Sequence, residues 1–200
     1  MPDLDLDPAA REVMRLLDGV TGDRLTDPTP CEDTNVGALL DHLMGLSLAF
    51  TWAARKTAPP ADGGPGPGTS AAADLDPDWR SVLPQRLEEL VAAWREPAAW
   101  EGVTEAGGVT MPAAEMAVVA VDELVLHGWD LARATGQPFH CDPASTTAVL
   151  GFTTVAAQPE HAASREGLFG PVLDVPADAS ELDRALALAG RDPGWTPAPA

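Results

Sequence analysis

Cysteine is scarce in this sequence, and so are the features of an exported or membrane-embedded chain. Only Cys31 and Cys141 are cysteines among 200 residues, and two so widely separated do not indicate a disulfide framework. Residues 1–7 are acidic and lack the basic and apolar regions of a signal peptide. No apolar run reaches the length that a transmembrane helix needs. The sequence therefore predicts a cytoplasmic protein.

Basic residues are also few. The chain has 12 Lys and Arg against 31 Asp and Glu, which gives a formal net charge of −19. A field of this sign repels phosphate backbones and anionic lipids, so we expect neither nucleic acid nor a membrane surface as a partner. The same field disfavours anionic substrates unless a local cation overrides it. The preference for Ala, Pro, Gly, Asp and Arg over Lys and Ile suggests a GC-rich genome.

Strand signals are few as well. Alternating β-branched residues are rare, and no segment carries a strong hairpin signal. Apolar residues instead recur at helical spacing, with Asn35 and Asp178 as candidate N-caps and Gly136 as a candidate C-cap. The first predicted helix starts at residue 7. The five others span residues 35–55, 76–95, 112–136, 142–157 and 178–188. The predicted fold class is all-α, a four-helix bundle with additional C-terminal helices.

Two segments between these helices are predicted to be irregular. Ala58 to Ser70 is so rich in proline and glycine that we expect a mobile loop. Residues 97–110 are expected to form a loop with one short extended stretch. The chain length suits a single domain. Within that domain we assign residues 1–140 to the bundle and residues 141–200 to a helical extension packed on it.

The segment Asp122 to Arg133 lies in the most apolar of the predicted helices. Glu123 and His127 are four residues apart, so their side chains project from one helical face. A bare carboxylate among the apolar neighbours of Glu123 would be as costly as any unpaired buried charge. Either a protonated His127 or a metal ion bound by both residues would neutralise it. A Glu-x-x-x-His pair supplies ligands that zinc, nickel or iron accept.

A candidate third ligand lies on the second predicted helix. His42 stands against the apolar stripe of that helix, whereas His140 and His161 are predicted in loops or at the surface. Three ligands from two facing helices would leave a coordination position open, as in catalytic zinc sites. An open position binds water, a carbonyl or a thiolate, and it lowers the pKa of a protic ligand.

Several motifs resemble those of a known family. The start of the second helix, Thr29-Pro30-Cys31-x-x-x-x-Val36 and Leu39-Leu40-Asp41-His42-Leu43-x-Gly45, looks like that of DinB-like proteins. The fourth helix of that family is similar to Asp122-Glu123-x-x-x-His127-Gly128-Trp129-Asp130-Leu131-Ala132-x-Ala134-x-Gly136. The C-terminal part adds Phe169-Gly170-Pro171, Leu182-Asp183-Arg184 and Gly190-Arg191-Asp192-Pro193. The resemblance covers most of the chain and narrows to the N-terminal domain of mycothiol-dependent maleylpyruvate isomerase and its actinobacterial relatives.

The resemblance implies a DinB-like four-helix bundle that holds a divalent metal, with His42, Glu123 and His127 as the ligands. Zinc is the metal expected first, and nickel is the alternative. Many relatives activate a low-molecular-weight thiol, mycothiol in actinobacteria, for S-transfer or isomerisation. The implied partners are therefore a small-molecule thiol, with mycothiol as co-substrate, and an electrophilic substrate. Because DinB-like relatives often dimerise, a homodimer is also implied.

The sequence departs from the family at two points. Relatives commonly carry Trp and Arg where this chain has Thr34 and Gly37, so we expect the entrance to the site to differ. The isomerase has a separate C-terminal domain for which the residues after His140 are too few. Isomerase activity is therefore not inherited on the resemblance alone.

Other residues near these motifs each have two interpretations. Asp130 either orients the nearby histidine as a hydrogen-bond acceptor or is solvated. Cys31 is favoured as a small buried thiol over a group that approaches the metal. Trp129 is expected in the core. Arg133 is favoured as the partner of a carboxylate over an anchor for an anionic ligand.

Three functions are compatible with these residues. The first is a thiol-dependent transferase or isomerase in which the metal lowers the pKa of a thiol and delivers the thiolate to an electrophile. The second is a non-catalytic metal-binding protein, regulatory or stress-related, which a fourth protein ligand such as Cys31 would favour. The third is a bundle in which Glu123 and His127 form only an ion pair.

Overall fold

The computed structural model of the chain describes residues 4–58, 70–165 and 168–197. Seven α-helices are described within these ranges: α1 (Asp7–Leu17), α2 (Val36–Arg55), α3 (Trp79–Trp94), α4 (Ala113–Thr135), α5 (Pro143–Ala156), α6 (Ala162–Arg165) and α7 (Glu181–Leu188). Two short strands, β1 (Val103–Ala106) and β2 (Val109–Pro112), lie between α3 and α4. The loop predicted from Ala58 to Ser70 lies outside the described residues except for its two ends.

The first four helices form a bundle, which confirms the predicted all-α fold class. Helix α2 packs against α3 and α4, and α1 packs against the same two helices. Most of α4 is buried, including residues such as Val121, Leu124 and Leu131 on different sides of the helix. A helix that is apolar all round belongs in the middle of a core. Helix α4 therefore lies at the centre of the bundle, and it carries the polar residues Glu123, His127 and Asp130.

The helix ends are set by the capping residues that the sequence provides. The Asn35 Oδ1 atom accepts a hydrogen bond from the Ala38 amide at 2.9 Å, so α2 begins where predicted. Gly136 ends α4 in the left-handed conformation with φ 69°, as predicted for a C-cap glycine. Ser180, not Asp178, caps α7, because its hydroxyl accepts from the Asp183 amide at 3.0 Å. The predicted start of the last helix was two residues too early.

The predicted loop at residues 97–110 was wrong for most of its length, because residues 103–112 form a hairpin. The short extended stretch predicted at residues 100–104 overlaps β1. Strands β1 and β2 pair antiparallel, with Val103 opposite Pro112. Gly107 and Gly108 connect them with φ of 58° and 81°. Two consecutive positive φ angles suit a tight type I′ hairpin turn, which glycine adopts without strain. The Gly-Gly pair between two short segments that each contain Val and Thr was the signal that the sequence interpretation missed.

The C-terminal helices pack on the bundle through α4. Helix α5 contacts α4, and α7 contacts α5. Two glycines bring the chain segments around α7 together, because a Cβ atom added to Gly190 would lie 2.5 Å from the Cα of Gly170. Gly190 also has a φ of 81°, which favours glycine. This close approach fixes the direction of the chain immediately before Arg191. We propose the division at residue 140 as a boundary within one domain.

Among the described residues, α2 is the one helix long and apolar enough to cross a membrane by length and composition, which the sequence interpretation did not anticipate. Its most apolar window has a mean hydropathy of 1.3, and 61% of that window is buried inside the protein. The core helix of a bundle passes the same test, because it is surrounded by other helices and needs few polar residues. The burial of α2 accounts for its apolar composition.

Candidate metal centre

Helix α4 presents two of the candidate ligands from one face. Glu123 and His127 are one helical turn apart, and the Nε2 atom of His127 lies 3.0 Å from the Oε2 atom of Glu123. The His127 side chain is 10% exposed and that of Glu123 is 27% exposed. The helix therefore holds the histidine inside the protein and turns the carboxylate partly toward solvent.

Helix α2 supplies the third candidate ligand from across the bundle. The Nε2 atom of His42 lies 3.6 Å from the same Oε2 atom of Glu123, and its side chain is 29% exposed. The imidazole rings of His42 and His127 meet edge to face, with centroids 4.7 Å apart and planes at 86°. The Nδ1 atom of His42 lies 3.5 Å from the hydroxyl of Ser70. His42 thus directs Nε2 toward Glu123 while its other nitrogen faces a neighbouring segment.

The structure brings the three predicted residues together. One nitrogen each from His42 and His127 and one oxygen from Glu123 all lie within 4.8 Å of one another. In the described part of the chain, this is the group of His, Cys, Asp and Glu side chains whose spacing could hold a metal ion. Their role as ligands remains a prediction.

The donor set fits a divalent metal. Two imidazole nitrogens and one carboxylate oxygen are also the protein ligands of a class of catalytic zinc sites. In tetrahedral coordination with bonds of about 2.1 Å, neighbouring ligand atoms lie about 3.4 Å apart. The distances from Glu123 Oε2 to the two histidines, 3.6 and 3.0 Å, lie on either side of that value. Nickel accepts the same donors.

A second layer of polar groups lies behind His127. Its Nδ1 atom lies 3.2 Å from the Oδ2 atom of Asp130, which is fully buried. The same oxygen accepts a hydrogen bond at 3.2 Å from Nη2 of Arg191. Of the two interpretations of Asp130, the structure supports the acceptor that orients the histidine. Arg191 lies in the motif Gly190-Arg191-Asp192-Pro193, but helical spacing cannot indicate a contact made across 61 positions.

These contacts shift the protonation of both α4 residues. Burial opposes ionisation of Glu123, but hydrogen bonds with His127 and His42 outweigh it and hold the pKa of the carboxyl far below its usual value. Burial also opposes protonation of His127, but hydrogen bonds with Asp130 and Glu123 raise its pKa to about 10. Without a metal, the pair is therefore an imidazolium and a carboxylate at neutral pH. A metal ion has to displace that proton.

Asp122 is a further buried carboxyl on the same helix. Its Oδ1 atom has no hydrogen-bond partner among the residues that the structure describes. Burial raises the pKa of Asp122 well above its ordinary value, and the neighbouring charge of Glu123 acts in the same direction. The nearby Arg191 guanidinium partly offsets both effects. The sequence offered no partner for Asp122, and the structure shows none for this oxygen.

The segment that begins at Ser70 lies over the start of α2. The Ala71 amide donates a hydrogen bond at 3.2 Å to Oδ2 of Asp41, next to His42 in the chain. A Cβ atom added to Gly37 would lie 2.7 Å from the Cβ of Ala72. A larger side chain at this position would force that segment away. Gly37 is therefore consistent with the expected difference at the entrance.

The remaining candidate residues have other contacts. Cys31 is half-buried, and its Sγ atom lies 3.7 Å from the Thr34 hydroxyl. It is not part of the group formed by His42, Glu123 and His127. Trp129 is buried in the core, as predicted. Arg133 was predicted to pair with a carboxylate, but among the described residues its partner is a backbone carbonyl. Its Nε atom donates to the Trp195 carbonyl at 3.0 Å, because the C-terminal segment crosses α4 there.

Residues 6–132 match the family described as the mycothiol maleylpyruvate isomerase N-terminal domain. Two relatives, described as uncharacterized proteins of Mycobacterium tuberculosis strains CDC 1551 / Oshkosh and ATCC 25618 / H37Rv, are each 26% identical over 187 residues. Each alignment covers 88% of this chain and 90% of the relative. The resemblance seen in the motifs is thereby confirmed.

Two solved structures have a similar fold. A crystal structure of the mycothiol-dependent maleylpyruvate isomerase superposes with a TM-score of 0.63 at 18% identity, covering 96% of this chain and 92% of that one. The crystal structure of a mutant of that enzyme, with alanine in place of a histidine, superposes with a TM-score of 0.64 at 18% identity. This match covers 94% of this chain and 90% of the mutant chain. The expected shortfall at the C-terminus was wrong, because so little of the isomerase chain is left unmatched.

Proposed function

The chain belongs to the mycothiol maleylpyruvate isomerase N-terminal domain family, and we propose that it is a cytoplasmic metal-dependent enzyme that uses a low-molecular-weight thiol for S-transfer or isomerisation. Mycothiol is the proposed thiol and zinc the proposed metal. The observation that supports this proposal is the convergence of His42, Glu123 and His127 from two helices.

Each residue of the group has a separate task in this proposal. His42, Glu123 and His127 would hold a divalent metal, which when bound would supply Lewis-acid chemistry that lowers the pKa of a thiol. Glu123 supplies the negative charge that offsets the cation. His127 is held by Asp130 with Nδ1 as the donor, which leaves Nε2 as the coordinating atom. The partial exposure of His42 and Glu123 gives a thiol access from solution.

The reaction needs no protein nucleophile. The thiol gives its proton to solvent, and its sulfur bonds to an electrophilic carbon of a double bond conjugated to a carbonyl, whose π electrons move onto that carbonyl as an enolate. In a transfer reaction the enolate takes a proton from solvent, and the carbon–sulfur bond remains in the product. In an isomerisation the enolate rotates about the former double bond, re-forms it and expels the thiolate, which takes a proton back from solvent. The protein's own side chains bind and orient the reactants and keep the imidazole of His127 in one tautomer.

The test is proton release when mycothiol binds to zinc-loaded protein. An ordinary thiol has a pKa of about 8.5 and is mostly protonated at neutral pH. Binding as a thiolate therefore releases about one proton per thiol, which calorimetry in two buffers of different ionisation enthalpy measures. S-methylated mycothiol is the matched control, since it has no proton to release. A zinc-loaded protein that binds no thiol, or binds it without proton release, would contradict the proposal.

A further inference from the structure

Arg191 reaches the metal centre from outside the bundle. It follows α7 and is 6% exposed, and its Nη2 atom donates to Oδ2 of Asp130 on α4 at 3.2 Å. Asp130 itself is 0% exposed. The two charged groups are therefore removed from water together, deep between the C-terminal segment and the fourth helix of the bundle.

The backbone around Arg191 is fixed by several contacts. Its amide donates to the Leu186 carbonyl at 2.8 Å, and its Nη1 atom donates to the Ala189 carbonyl at 3.1 Å. The close contact between Gly170 and Gly190 leaves no room for a side chain at Gly190 and little at Gly170. The guanidinium is thus presented to Asp130 by a segment with little freedom to move.

Stability alone is a weak explanation for such a pair. Desolvating two opposite charges costs about as much as their attraction returns, and apolar replacements of buried pairs are often neutral or stabilising. The contact that sets this pair apart is the third one. The same Oδ2 atom of Asp130 that accepts from Arg191 also lies 3.2 Å from Nδ1 of His127. One carboxylate oxygen therefore joins the C-terminal segment to a candidate metal ligand.

We infer that Arg191 is a positioning residue of the metal centre, which acts through Asp130 to hold His127 with Nε2 directed at the metal. The inference rests on the proposed function, because it assumes that His127 is a ligand. Two anchored donors on one oxygen fix the rotamer of Asp130. A fixed acceptor in turn fixes the imidazole ring and its tautomer, which is the usual task of a group behind a metal-bound histidine. The C-terminal segment is then part of the metal site.

A double-mutant cycle on zinc affinity tests this inference. We expect Arg191→Met and Asp130→Asn each to weaken zinc binding about 10–100-fold, the range for residues that orient metal ligands. The double variant should be no weaker than the weaker single variant, because both changes interrupt one path. Arg191→Lys keeps a cation and should retain more affinity than Arg191→Met. The measurement is competition with a chromophoric chelator, together with thermal unfolding of the metal-free proteins.

Arg165 provides the matched control. Its Nη2 atom donates to the carbonyls of Gly170 and Leu188, so it holds the same C-terminal segment without touching Asp130. Arg165→Met should lower the melting temperature of the metal-free protein and leave zinc affinity unchanged.

The outcomes separate the two proposals. Wild-type protein that binds no zinc overturns the proposed function and this inference with it. Wild-type protein that binds zinc while Arg191→Met keeps full affinity overturns the inference alone. Additive losses in the cycle, or an equal loss in Arg165→Met, would reduce Arg191 to a structural role. If Arg191→Met does not fold, Arg191→Lys and Asp130→Asn still decide, since wild-type affinity in both also overturns the inference.

Discussion

Glu123 is the residue on which the two histidines converge. Its Oε2 atom lies 3.0 Å from His127 and 3.6 Å from His42. Glu123→Gln keeps the shape of the side chain but removes the charge that offsets a cation, and it places an amide donor near the histidines. We expect the variant to bind zinc at least about tenfold more weakly, so that a chelator no longer lowers its melting temperature.

Glu115 gives a control on the same helix. It is exposed in the first turn of α4, so Glu115→Gln should respond to a chelator as the wild-type protein does. An unchanged response in Glu123→Gln would show that this carboxylate is only the partner of His127.

At the residue scale, the sequence predicted the relations that depend on spacing within a single helix. The i,i+4 relation predicted that Glu123 and His127 share a face, and an apolar stripe pointed to His42. The sequence did not predict the contacts that α4 makes with the C-terminal segment. Arg133 binds the backbone of Trp195, and Arg191 contacts Asp130. No local periodicity connects α4 with a segment so far along the chain.

At the scale of elements, the Glu12 carboxylate is one of the groups that attach α1 to the segment between α4 and α5. Glu12 accepts hydrogen bonds from Arg15 at 2.7 and 2.8 Å and from the His140 amide at 2.8 Å. Burial alone would raise the pKa of Glu12, but Arg15 and His140 lower it below the ordinary value. A carboxyl with a lowered pKa stabilises the fold above its unfolded-state pKa, and this contribution disappears as the pH falls through the folded-state pKa.

We therefore expect Glu12→Gln to lower the melting temperature at neutral pH. The difference from wild type should shrink between about pH 5 and pH 3, as the wild-type carboxyl takes up a proton. Glu88→Gln, an exposed change on α3, should show no such pH-dependent difference. Thermal unfolding across this pH range is the measurement. A Glu12→Gln gap that stays constant with pH would mean that the ionised carboxylate contributes nothing.

Most of the helices could be predicted, because capping residues mark their ends in the sequence. Asn35 and Gly136 cap helices at the predicted positions. The hairpin was missed because its strands are only four residues each and carry no alternation of buried and exposed residues long enough to detect. Its glycine pair was the available signal. The packing of β1 depends on a bond from the Thr104 hydroxyl to the Ala53 carbonyl at 2.5 Å, which no local pattern contains.

At the scale of the whole molecule, the bundle and the C-terminal segment enclose the candidate site from two sides. Helices α2 and α4 supply the three candidate ligands, while Arg191 approaches from behind α4. The net charge of −19 favours a cation over an anion at this centre. The charge balance and the donor set thus both support a metal ion at this site. The ion-pair alternative accounts for the same contacts between Glu123 and the histidines without any metal.

Calorimetric titration of metal-stripped protein with zinc tests the central claim most directly. The account predicts uptake of about one ion per wild-type chain. A proton should be released on binding, because the pKa of His127 is raised to about 10 in the metal-free protein and the coordinating imidazole is neutral. The Glu123→Gln variant should show little uptake at the same concentrations. Wild-type protein that takes up neither zinc nor nickel, or a Glu123→Gln variant that binds zinc as tightly as wild type, would contradict it.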